Sequence, residues 1–112
     1  MQTSYFAKVR NSPKLKLVSV SRTTPPNFQG VSCFEVAPPS DLLWAFKNKQ
    51  ISEEEYETRY RAEVLSHIDA QQFYETYKDC VLCCWESPNK FCHRHIISSW
   101  LSEQLGVVVE EL

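Results

Sequence analysis

Apolar and polar residues alternate along Leu15-Lys16-Leu17-Val18-Ser19-Val20 and then turn apolar, the period of a strand entering a buried sheet. Further on, Val81-Leu82-Cys83-Cys84-Trp85 is nearly all apolar, as a central strand covered on both faces should be. Between these stretches the pattern takes the helical period. Leu42, Leu43 and Phe46 share one side of a segment from Asp41 to Lys47, with Ser40 as its expected N-cap. Ser52-Glu53-Glu54-Glu55 is a capping-box pattern that opens a helix to about Ser66, with Tyr56, Tyr60, Val64 and His67 facing inward. On that apolar stripe His67 reads as a hydrogen-bonded core histidine. Asp69 caps a third helix to about Tyr77, presenting Phe73 and Tyr77. After the apolar strand, Ile96, Ile97, Trp100, Leu101 and Leu105 predict a helix from about Phe91 to Gln104, closed by Gly106. Val107-Val108-Val109 predicts a last strand, parallel to the central one through a right-handed crossover. Tyr5 to Val9 reads as an edge strand or a run-in, and Val31 to Val36 as a short strand or an extended loop.

Strands alternating with helices give an α/β class: a small three-layer, Rossmann-like domain with a short, mostly parallel sheet and flanking helices. A chain of 112 residues, 43% hydrophobic and 12% aromatic, suits a single domain with a modest core rather than a disordered segment. The net charge of -2 leaves no basic footprint, so nucleic acid is not an expected partner. With only Gly30 and Gly106, no glycine-rich phosphate loop exists, and no nucleotide cofactor is expected by that route. No apolar run approaches the length of a membrane span. Five cysteines, an odd number, are not spaced as a disulfide framework, so free thiols and a cytoplasmic setting are expected.

The chemistry concentrates between Asp79 and Trp100. If Cys84 ends the central strand, Glu86 lies just beyond it and Cys92, His93 and Arg94 open the next helix. A helix N-terminus beside basic groups lowers a thiol's pKa and makes a thiolate available. Glu86 or His93 could move a proton, and Arg94 with Arg22, just past the first strand's carboxyl end, could clamp a small anionic or nucleotide-like ligand. Cys33, Cys80 and Cys83 read as apolar filler. A second reading takes Cys80, Cys83, Cys92 and His95 as a structural zinc site. An extended Val81–Trp85 opposes it, because residues three apart on a strand point to opposite faces. A third reading is a non-catalytic interaction module with Trp44, Trp85 and Trp100 as anchors.

The stretch from Glu35 to Phe46, Tyr56-Glu-Thr-Arg-Tyr60 and Glu63-Val-Leu65 resembles the middle of the YeaO-like bacterial family, domain of unknown function 488. The match extends to Leu17-Val-Ser-Val-Ser-Arg22, Cys84-Trp85-Glu86 and Cys92-His93-Arg94. The resemblance implies a small α/β fold. It places weight on the pocket of Arg22, Cys84, Glu86, Cys92, His93 and Arg94 rather than on zinc, and it supplies no activity.

Overall fold

The structure, a computed structural model, describes residues 1–112. Its strands are Gln2–Tyr5 (β1), Leu17–Ser19 (β2), Val31–Ser32 (β3), Val81–Cys84 (β4) and Glu110–Glu111 (β5). All pair in parallel, in the order β3-β2-β4-β1-β5. The helices are Phe6–Val9 (α1), Ser40–Lys47 (α2), Glu53–Glu63 (α3), Ala70–Tyr77 (α4) and His93–Leu105 (α5), with single 3-10 turns at Phe34–Val36 and Leu65–His67. This is the expected three-layer α/β domain. No helix is long and apolar enough to cross a membrane.

The middle strand, β4, is buried at every position, and Leu82 lies opposite Val18 of β2 and Thr3 of β1. Alternation along it divides the interior. Leu82 and Cys84 face a core of 17 residues, built with Tyr56 and Tyr60 of α3, Phe73 of α4 and Ile96, Ile97, Trp100 and Leu101 of α5. Val81 and Cys83 face a core of 5, with Phe6, Val9 and Leu17. The third layer is therefore thin: α1 and the loop carrying Phe28.

Local signals explain most boundaries. The Ser52 hydroxyl accepts from the Glu55 N–H and the Asp69 carboxylate from the Gln72 N–H, as predicted caps should. Gly106 closes α5 in the left-handed region at φ 70°, where a glycine has no steric cost.

Four expectations are corrected. β1 is an interior strand at Gln2–Tyr5, while Phe6–Val9 is helical. Its Thr3 and Ser4 are buried hydroxyls, so the apolar signal of an interior strand is missing. The last strand lies beyond the valines, at Glu110–Glu111, and pairs with β1, which already occupies the edge of β4. Pro39, not Ser40, is the N-cap of α2, because its extended backbone leads directly into the helix. His67 is exposed, because α3 breaks at Val64 before the inward stripe reaches it.

Candidate functional site

Adjacent strands β2 and β4 send the chain in opposite directions: β2 leads outward to β3, and β4 leads through α5 past β1 to β5. Such a switch opens a crevice at the carboxyl ends of a parallel sheet. A cavity of about 1170 Å³ lies there, lined by Ser21–Thr23 after β2, Cys84–Glu86 at the end of β4, Phe91–His93 at the start of α5, and parts of α2 and α3.

Its floor is a sulfur and imidazole cluster. The sulfurs of Cys84 and Cys92 meet on the cavity floor, while their Cα atoms stand 7.6 Å apart. Free thiols, expected throughout, remain at Cys33, Cys80 and Cys83. Cys92 is the N-cap of α5, at the positive end of that helix. His93 Nδ1 lies 3.7 Å from Cys92 Sγ, and His93 Nε2 lies 2.6 Å from the Val20 carbonyl. A carbonyl only accepts, so Nε2 carries the proton and Nδ1 turns its lone pair toward the sulfur. Burial lowers the His93 pKa to about 4, with Arg94 and His95 acting in the same direction and the Val20 bond opposing. The imidazole is neutral near pH 7.

Behind the sulfurs, Arg94 is fully buried. Its Nη1 donates to Cys84 Sγ at 2.8 Å and to the Glu86 carbonyl at 2.7 Å. Its Nε and Nη2 grip the two Glu111 oxygens at 3.1 and 2.9 Å. Burial raises the Glu111 pKa, but hydrogen bonds from Arg94 and Thr3 outweigh it and hold the carboxyl below its ordinary value. Arg94 thereby ties Cys84 to Glu111 and holds β5 to α5.

Arg22, Cys84, Glu86, Cys92 and His93 all line the cavity, and Arg94 does not. The two-arginine clamp is corrected accordingly: Arg22 stands exposed at the rim while Glu111 balances Arg94 from behind. The cations that accompany Arg22 are Lys47, Lys49 and Lys90, against acids Glu53 and Glu86. Four positive groups and two negative ones leave the lining positive, although the chain is net negative. Phe46, Tyr56 and Phe91 form an aromatic wall, with ring centroids 5.1 to 5.2 Å apart. The lysines, the aromatic wall, Glu111 and the Val20 carbonyl were not read from the sequence. Lys47-Asn48-Lys49 at the end of α2 was the one visible signal, and nothing local tied it to a distant hub.

Cys80, Cys83, Cys92 and His95 are not gathered. Cys83 faces the thin side of the sheet, away from Cys92, and burial pushes its thiol up to about 12. Trp44 and Trp85 are exposed, whereas Trp100 is core.

A family model named DUF488-N3a, described as "Active DUF488-N3 subclade", matches residues 8–105. No curated protein and no solved structure matches the chain.

Proposed function

The chain belongs to the DUF488-N3a family, and from that premise we propose that its cleft binds a small anionic, nucleotide-like ligand and exposes it to thiol-dependent chemistry. The observation that carries this is the overlap of a positive, aromatic-walled cavity with the Cys84, Cys92 and His93 cluster at one crevice of the sheet. Arg22 and the three lysines supply charge for a phosphate or carboxylate, and Phe46, Tyr56 and Phe91 supply faces on which a planar ring can stack. Cys92 is the nucleophile of this reading. His93, held by the Val20 carbonyl, takes its proton, following the rule that a nucleophile has a base and the base an orienter.

Calorimetric titration with inorganic phosphate and with adenosine monophosphate tests the binding part. Both should bind, the nucleotide more tightly, and Arg22→Ala should weaken both about tenfold, the loss of one charge-assisted hydrogen bond. Equal affinity in the wild type and Arg22→Ala would contradict the role given to Arg22. No binding of either probe would end the reading.

A further inference from the structure

We propose that Cys84 Sγ, Cys92 Sγ and His93 Nδ1 form a three-ligand site for zinc, with its open position facing the cleft. The donor atoms lie within 4.8 Å of one another on three buried residues. Two thiolates and an imidazole favour zinc over hard, oxygen-seeking ions such as magnesium and calcium.

Backbone spacing supports the same site. The Cα atoms of Cys84 and Cys92 are 7.6 Å apart, beyond the roughly 4.4–6.8 Å that a disulfide spans. Two sulfurs on one tetrahedral zinc, each about 2.3 Å from it, stand about 3.8 Å apart and need this wider frame. Zinc bonds of about 2.3 Å to sulfur and 2.1 Å to nitrogen set those two donors about 3.6 Å apart. Cys92 Sγ and His93 Nδ1 are already at 3.7 Å.

Outer partners are in place as well. The Val20 carbonyl accepts a hydrogen bond from Nε2–H of His93 and so leaves Nδ1 free for a metal, while Arg94 donates to Cys84 Sγ. Glu111 balances the charge of Arg94, so two thiolates are left to neutralise one divalent ion. All three ligand residues line the cavity, and a fourth ligand would enter from it: water, or an oxygen of the anionic ligand. Only that last assignment rests on the cleft reading above.

The full chain, reduced and freed of metal, is titrated with Co2+ alone. One equivalent should bind and give a thiolate-to-cobalt charge-transfer band with the visible bands of a tetrahedral ion, and Zn2+ should displace it. Cys84→Ser, Cys92→Ser and His93→Gln should each weaken binding by more than the roughly 10- to 100-fold that losing an outer partner costs. Cys80→Ser and Cys83→Ser should leave it unchanged. Absence of the band in folded wild-type protein would overturn the site, as would its survival in the Cys84→Ser/Cys92→Ser double variant. Phosphate binding, measured separately on metal-free protein, distinguishes failure of this site from failure of the cleft reading.

Discussion

Cys83 and Cys84 are neighbours on one strand and equally hidden, at 0% and 1% exposure. The sheet gives them opposite chemistry. Cys83 faces the thin layer among Phe6, Val9, Leu17 and Val81, where burial outweighs the backbone hydrogen bond and the more distant Arg94 and raises its thiol pKa. Cys84 faces the thick layer, with the Arg94 guanidinium at 2.8 Å and the Cys92 sulfur against it. Burial without a close charged partner leaves a cysteine an apolar filler, and a guanidinium at hydrogen-bond distance gives Cys84 the setting that the proposed roles require. The two faces differ because only the thick one holds a buried charge, Arg94, with a carboxylate that balances it.

The sharpest way to break the contrast is to remove the carboxylate behind Arg94. Glu111→Gln leaves the buried Arg94 guanidinium without its part-exposed counter-ion and should cost about 3 kcal/mol, read from urea unfolding. Its exposed neighbour provides the control, since Glu110→Gln should stay within about 0.5 kcal/mol. Similar values for both would mean that the Arg94 network does not hold the thick layer.

Acid should find the same face. In metal-free, reduced protein, His93 titrates near its ordinary value of 6.5 when unfolded and near 4 when folded. The unfolded chain therefore binds a proton first, and stability present above pH 6.5 falls as pH drops toward 4, by about 3 kcal/mol. Glu111, whose folded pKa is lowered, adds a loss of the same sign at lower pH. His93→Asn should flatten the slope between pH 6.5 and 4, and His67→Asn, at an exposed site, should leave it intact. A slope unchanged in His93→Asn would refute the buried neutral imidazole.

The smallest effect belongs to the thin layer. Cys83→Ala should cost about 1 kcal/mol through lost packing and leave phosphate binding unchanged. A large loss of binding in that variant would erase the distinction between the faces.

Much of this layout was legible in the chain. The period of Val81–Trp85 identified the middle strand, and the caps at Ser52, Asp69 and Gly106 bounded three helices through bonds made within a few residues. Cys84, Glu86, Cys92 and His93 were legible as a cluster because one turn separates β4 from α5. What escaped depends on distance along the sequence. Gln2–Tyr5 looks too polar for a sheet interior, and it is tolerated there because Thr3 donates to Glu111 at 2.6 Å, 108 residues away. Arg94 looked free to meet a ligand, and only the last strand reveals the carboxylate that occupies it. Side-chain period cannot report such pairings, which the parallel topology alone creates.

Cysteine-resolved alkylation of reduced, metal-free protein at neutral pH tests the central claim most directly. Cys92 and Cys84 should be modified first and Cys83 last, with phosphate slowing only the first two. Uniformly slow labelling, or modification of Cys83 as fast as Cys84, would contradict the account.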